Sequence, residues 1–539
     1  MERASTPACV VIGPNSGNFD QYLADRKEMR EIAGGYRDAQ VNSLLIDGKR
    51  ISYLDWFNQL RREVDPGAQS FGAFDPPSLA ELHLVSRLAR DGQSAVTIGE
   101  FQQGRTRLEA LLRDEPPVVA ITTTFCFEPK PVREIVDFVR ARSPRTKLVV
   151  GGPYIWNLAQ SPSRRGQDLL FTEMAADVFV VDSQGESTLA RVVTEIAGGR
   201  AGELANTPNL ALPVDGKWVR TARSVEDNPL DTNRVDWSLF DAESLRPFAM
   251  TRTAISCPFA CSFCTYPVRA GEHRLASMET MEAELRALDA LGVRYVDFID
   301  DTFNVPLPRF KQLCRMLIRN RFNFRWISYL RCGNMDEEAV HLAAESGCVG
   351  ALLGIESGSK PVLEIMNKFA NPEKYRTAIR WLEDAGIMCW ALLFVGFPGE
   401  TAETMRETIQ LIADARPTFF GSQIWFYDPK TPIGARANEF AIKGSGYGWK
   451  HNTMDWRIAA DGAEELIRSP NNSIYLPQTA FTLETFMYLM GKGFAKSTLQ
   501  DFLRTARAIV VDGFGDRPVD LGKYGDAIGG IKRGLAAAS

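Results

Sequence analysis

Residues 248–264 read Phe-Ala-Met-Thr-Arg-Thr-Ala-Ile-Ser-Cys-Pro-Phe-Ala-Cys-Ser-Phe-Cys. The first nine residues have the apolar and β-branched character of a buried strand. The strand runs straight into a loop holding Cys257, Cys261 and Cys264. Five more strand-like stretches follow: 294–300, 324–330, 350–356, 388–396 and 420–427. Helical patterns separate them at 277–291, 307–320, 336–346, 358–367 with 371–385, and 400–415. Six β/α units in series predict a parallel sheet backed by helices, too few for a closed eight-fold barrel, so a partial (β/α)6 barrel is expected over 247–440. The cysteine loop falls at the carboxyl end of its first strand, where such barrels carry their chemistry.

Upstream, strands are predicted at 8–13 (ACVVIG), within SAVTIGEF, within PPVVAITTT, at KLVVGG and at DVFVV. Amphipathic helical stretches alternate with them, so residues 1–223 read as a second α/β domain of Rossmann-like type. Residues 224–246 carry many turn formers and little periodicity and read as a linker. The stretch 441–539 mixes aromatic and polar residues before a helical end, and is expected to be a mostly helical domain covering the substrate. The aromatic run Tyr447–Trp456 within it reads as a cover over the barrel mouth with some substrate contact. The expected class is therefore α/β, in three parts.

Composition bounds the function. The chain has 539 residues with a formal net charge of −5, 45% hydrophobic and 24% charged. That is an ordinary globular make-up without a basic field for nucleic acid. No apolar run reaches the length of a membrane span, and the first thirteen residues lack the pattern of a secretory signal. A cytoplasmic protein with no nucleic-acid or membrane partner is the expectation. The nine cysteines are odd in number and mostly scattered, which argues against a disulfide framework. Six of them, Cys9, Cys126, Cys314, Cys332, Cys348 and Cys389, read as small core residues; Cys332, beside Arg331 at a strand end, is also a possible active-site thiol. The other three form the CxxxCxxC loop. Thiolates are soft ligands suited to iron–sulfur clusters and zinc. Three on one loop leave one iron of a [4Fe–4S] cluster open to a small molecule. A zinc site completed from elsewhere and three buried thiols are the other readings of the spacing.

Cys257, Cys261 and Cys264, with Phe263 before the last cysteine, resemble the signature of the radical S-adenosylmethionine (SAM) superfamily. Asp300-Asp301-Thr302-Phe303, Arg331, Gly354-Ile355-Glu356-Ser357-Gly358-Ser359 with its continuation KPVLEIMNK, and Gly396-Phe397-Pro398-Gly399-Glu400-Thr401 resemble the family's later strand-end motifs. The resemblance covers about 250–430. It implies a [4Fe–4S] cluster held by the three cysteines, and SAM cleaved to a 5′-deoxyadenosyl radical. Asp300 and Asp301 would lie near the SAM amino group. Arg331, Glu356 and Ser357 would contact its carboxylate or ribose, and Phe263 with Val395 and Gly396 would face the adenine. An electron donor such as flavodoxin or ferredoxin is implied as a partner.

The upstream domain resembles the cobalamin-binding domain of one radical SAM subclass. The matching stretches are Gly151-Gly152-Pro153-Tyr154 and Gly185-Glu186-Ser187-Thr188, with tyrosine where a histidine is usual. By that resemblance the corrinoid would meet Asn15, Thr122, Thr123, Gly151, Gly152, Pro153, Tyr154, Gly185 and Glu186. None of the four histidines, His83, His273, His341 and His451, stands in a DxHxxG loop, so bound cobalamin would lack that lower ligand. The implied activity is cobalamin-dependent methyl transfer to an unactivated carbon, or a phosphinate, of a small-molecule or peptide precursor. Radical cyclisation, rearrangement or oxidation without methyl transfer is an alternative, as is a non-enzymatic cluster-bearing binding protein. A transfer-RNA methylthiolating role is disfavoured by the acidic balance.

Overall fold

A computed structural model describes residues 6–17, 19–469, 472–479 and 481–538. The chain folds as two compact units. The first comprises Met1–Gly17, Phe74–Leu245 and Leu275–Ala287; the second comprises Asn18–Ala73, Arg246–Arg274 and Leu288–Ser539.

The first unit is built on a seven-stranded sheet. In spatial order the strands are Ala95–Ile98, Cys9–Ile12, Val118–Thr122, Lys147–Gly151, Val178–Val180, Leu210–Val214 and Lys217–Arg220. The first five pair in parallel and the last two add on antiparallel. Numbered along the chain, the parallel part runs 2-1-3-4-5, the flavodoxin-like order. Its strands are short apolar runs buried on both faces, as a parallel sheet covered by helices requires. One layer packs Val10, Ile12, Val119, Ile121, Leu148 and Val150 against helix Lys130–Arg142; the other packs Val11, Ala120 and Val149 against helix Glu186–Ala197. The antiparallel edge pair has no counterpart in the sequence reading. Its short alternating runs around Asp215-Gly216 carry the turn signal for a hairpin.

Residues 224–246 are not a free linker. Ser86 accepts the Asp236 amide, Arg90 binds Asn233, and Arg87 reaches Asn228, so the segment lies along helix Leu79–Arg90. Its asparagines and aspartates give polar attachment rather than an apolar stripe, which is why periodicity overlooked it.

The second unit holds a seven-stranded, wholly parallel sheet in chain order: Phe248–Thr251, Tyr295–Phe298, Arg325–Leu330, Cys348–Glu356, Met388–Val395, Phe419–Ile424 and Ile474–Tyr475. The six strands read from sequence all form. Among the described residues the first and last strands do not pair, so the barrel is partial. The seventh strand comes from the 441–539 stretch, which is not a separate helical domain but part of this unit. Segment 18–73, read from sequence within the upstream domain, also groups here and contributes the hairpin Ser43–Ile46/Lys49–Ser52. Among the described residues no helix is long and apolar enough to cross a membrane.

Candidate functional site

The cysteine loop follows the first barrel strand and is pinned from several sides. Ser262 donates its amide to Met366 O and its hydroxyl to Ile365 O, both at 2.8 Å. Asn367 Nδ2 donates to Ala260 O (2.7 Å), and Ser262 O accepts the Ile433 amide (2.8 Å). The turn after helix Lys360–Ile365 thus clamps the middle of the loop. At its entrance Ser256 sits at φ +71°, a left-handed conformation that turns the chain sharply out of the strand.

Each thiol has a donor beside it. Thr302 Oγ1 faces Cys257 Sγ at 3.7 Å, Arg331 Nη1 faces Cys261 Sγ at 4.0 Å, and the Tyr266 amide faces Cys264 Sγ at 3.4 Å. Burial pushes the Cys264 thiol up to about 11 and raises Cys257 too, with Asp301 adding repulsion. Without a cation the loop therefore favours neutral thiols; a bound metal centre reverses that preference. Among the described residues no three His, Cys, Asp or Glu side chains converge as ligands of one ion.

Around the loop the structure gathers Phe263, Asp301, Arg331 and Glu356. Phe263 packs edge-on against Phe394 and Phe397. Asp301 receives the Tyr266 hydroxyl. Arg331 lies 3.7 Å over the Phe259 ring and donates to Lys368 O. Glu356 stands at φ +61° and pairs with Lys368 at 2.8 Å, the two side chains only 13% and 9% exposed. Lys368 also stands 5.6 Å over Phe263. A side chain at Gly354 would meet Glu356 Oε1 at 2.7 Å, so the glycine makes room for the ion pair.

Other expected contacts are turned to structural duty. Asp300 is buried, and both of its carboxylate oxygens accept the Thr253 amide at 3.0 Å. It ties the second strand to the root of the cysteine loop, and burial, ahead of these hydrogen bonds, pushes its carboxyl up to about 7. Ser357 is fully buried; its hydroxyl accepts the Ser359 amide and neighbours Thr408, leaving no open face. Gly396 uses both backbone polar groups internally, its N–H bound by Glu400 and its C=O by His451 Nε2 at 3.0 Å. Val395 O accepts the Trp425 amide. The aromatic run 447–456 buttresses this turn: Trp449 stacks on His451 and would collide with any side chain at Gly396. Cys332 is buried with its thiol pushed up to about 12, a core residue rather than a reactive thiol. The sequence reading assigned no role to Lys368 or Phe259, although both lie inside its motifs, and placed His451 only within the aromatic cover; Lys368 is the second of the two lysines that bound KPVLEIMNK.

In the first unit the expected residues follow the carboxyl ends of the parallel strands, the edge at which open α/β sheets bind ligands, and Thr123, Gly151 and Gly152 come together there. Thr123 bonds Gly151 O through both its amide and its hydroxyl. Gly152, at φ +110°, lies so close that an added Cβ would stand 2.9 Å from the Thr123 hydroxyl. Thr122 is buried and Tyr154, after Pro153, half-buried. Phe125 and Phe127 are 45% and 86% exposed just beyond the third strand, and Phe125 packs on Phe74. Asn15 is engaged with Pro131 O, Glu134 and Gln102. Gly185 packs on Val180, and Glu186 is buried against Asn228 Nδ2 at 2.7 Å. The Ser187 and Thr188 amides at that helix start are taken by Glu226.

Residues 253–412 match the Radical SAM superfamily. An uncharacterized methyltransferase of Pyrococcus horikoshii is 26% identical over 72% of this chain and 82% of its own. The anaerobic magnesium-protoporphyrin IX monomethyl ester cyclase of Rubrivivax gelatinosus is 28% identical over 44% of this chain, which spans less than half (45%) of that relative. In fold, the chain is similar to the radical SAM methyltransferase TsrM of Kitasatospora setae (TM-score 0.61, 18% identity, 80% of this chain and 95% of that one). It is also similar to the cobalamin-dependent radical enzyme OxsB (TM-score 0.56, 14% identity, 86% and 76%).

Proposed function

From the premise that residues 253–412 are a radical SAM domain, we propose that this protein is a radical SAM methyltransferase that employs a corrinoid. Cys257, Cys261 and Cys264 would each hold one iron of a [4Fe–4S] cluster, leaving one iron for the amino and carboxylate groups of SAM. When bound and reduced, that cluster supplies the electron that breaks a C–S bond of SAM, giving methionine and a 5′-deoxyadenosyl radical. The chain's own residues do the rest. Arg331, Thr302 and the Tyr266 amide offset the charge that the thiolates carry. Asp301 and the Glu356–Lys368 pair present charge near the loop for the polar end of SAM. Phe263, Phe394 and Phe397 make a wall of aromatic C–H bonds, poor hydrogen donors that protect a radical from quenching.

The first unit would hold cobalamin at its switch-point edge, near Phe125, Phe127 and the Gly151–Gly152 turn. When bound, the corrinoid supplies the methyl group. A flavodoxin or ferredoxin would deliver electrons, and the substrate would be a small molecule or peptide. The observation that carries the reading is one chain holding both a clamped three-cysteine loop on a parallel barrel sheet and a 2-1-3-4-5 sheet with an apolar switch-point edge. Similarity to the Pyrococcus methyltransferase and the fold shared with TsrM support it.

The test is anaerobic reconstitution with iron and sulfide, loading with hydroxocobalamin, and mass spectrometry after reduction with SAM. Cluster absorbance, retained corrinoid, 5′-deoxyadenosine and S-adenosylhomocysteine are the expected results. 5′-Deoxyadenosine with no corrinoid and no S-adenosylhomocysteine would overturn methyl transfer in favour of a radical cyclisation or rearrangement, as the cyclase relative suggests. Neither product would overturn the whole reading.

A further inference from the structure

The barrel lumen of the second unit holds polar groups that the protein itself leaves unsatisfied. Asp297 sits in the middle of the second strand, 2% exposed, and its Oδ1 has no hydrogen-bond partner. Side chains alternate along a strand. Phe298 stacks on Phe303 and meets Trp326 edge-on, and both of those pack on Phe310 of helix Leu307–Asn320 outside the sheet, so Asp297 faces inward. It is level with Ile327 and, through it, Gly350. A Cβ on Gly350 would touch Met487 and Leu483, so helix Leu483–Gly491 closes the lumen at this level. That helix carries Glu484, whose Oε2 is likewise shielded and unpartnered.

Helix Leu483–Gly491 packs on the second strand. After burial, Glu484 is the main influence raising Asp297, and among the described residues no basic side chain stands among the main influences on either group. One row higher, Tyr329 and Trp390 share a level through Leu352; the unpartnered Trp390 indole N–H calls for an acceptor elsewhere on a ligand, not for its cationic end. A protein core gains by replacing such groups with apolar side chains unless a ligand completes them.

We propose that Asp297 and Glu484 form the floor of the substrate site and bind a cationic nitrogen of the substrate, an ammonium or guanidinium group. This rests on the radical SAM reading, which places the reacting atoms above this floor at the strand ends. Two carboxyls and a phenol offer acceptors where an ammonium or guanidinium offers only donors. A neutral substrate end could hydrogen-bond the pair but would not offset charge on it.

The experiment uses the full chain with its cluster reconstituted anaerobically and SAM present. Isothermal calorimetry measures butylamine and butylguanidine, both cationic at neutral pH, against 1-butanol as the neutral probe of similar shape. The cations should bind and the alcohol should bind far more weakly. Glu484→Gln and Asp297→Asn should each weaken cation binding about tenfold or more with the alcohol unaffected. Cations that bind no better than the alcohol, or variants that bind them like the wild type, overturn the proposal. If a variant does not fold, the wild-type comparison of cation with alcohol decides alone. The same preparation separates the two readings. A protein that makes 5′-deoxyadenosine but ignores the amines overturns the floor and keeps the radical SAM assignment; one that binds amines but never cleaves SAM does the reverse.

Discussion

Glu356 and Lys368 form an ion pair at 2.8 Å with both side chains nearly closed to solvent. A buried pair gains little over apolar replacements, but a single removed partner leaves an uncompensated charge. Lys368→Met should therefore lower unfolding free energy by about 3–5 kcal/mol, read from urea titration, and Glu356→Gln added to it should restore most of the loss. Equal loss in single and double variants would refute the account. Glu400 gives a pH test. Burial pushes its carboxyl up to about 7, with the Gly396 and Phe397 amides opposing. A carboxyl raised in the folded state stabilises below its unfolded value of about 4.3, and that contribution fades as pH rises through 7. Glu400→Gln should thus gain in melting temperature relative to wild type between pH 5 and pH 8; a constant difference across that range would sink the argument. At this scale the sequence was legible where spacing speaks, as in Cys257, Cys261 and Cys264. It was silent where distance along the chain hides contact: nothing in the sequence links His451 to Gly396, and Asp300 looks the same whether it faces a ligand or ties down Thr253.

Among the elements, the strands were legible because buried parallel strands are short apolar runs between turn residues. All eleven parallel strands expected from the sequence form, within a few residues at their ends. Those that escaped notice lack that signature. Ile474–Tyr475 is two residues long, and Leu210–Val214 pairs through a turn at Asp215-Gly216. Helix Glu186–Ala197 illustrates an end that sequence leaves open. Gly185 gives it no side-chain cap, and the Ser187 and Thr188 amides are instead bound by Glu226, at 2.9 and 2.8 Å. A carboxylate there satisfies two orphan donors and complements the helix dipole. Glu226→Ala should cost about 1 kcal/mol in chemical denaturation, with faster amide exchange confined to the first turn. Unchanged exchange at Ser187 and Thr188 would count against the cap.

For the whole molecule, the composition reading of several parts resolves into two units, and the decisive difference lies in residues 441–538. An apolar, helical tail reads as a cover because sequence does not say whether a face meets solvent or a core. Here that stretch is core. Trp449 fills the space above Gly396, Ile474 pairs with Phe419, and Leu483 and Met487 close on Gly350. Phe481, Phe494 and Phe502 ring Phe57, which comes from the 18–73 segment. Each of these large side chains contributes roughly 1.5–3 kcal/mol by burial, together comparable to the net stability of a whole domain. A chain ending at residue 440 should therefore lose the second unit's cooperative fold while the first unit, whose sheet and flanking layers lie within other segments, persists. Hydrogen exchange by mass spectrometry reads both units at once. Peptides over Val118–Thr122 and Lys147–Gly151 should stay protected, and those over Cys348–Glu356 and Met388–Val395 should exchange as an unfolded chain does. Retained protection in Cys348–Glu356 would mean that the barrel stands without its last strand and floor helix, and that the tail is a cover after all.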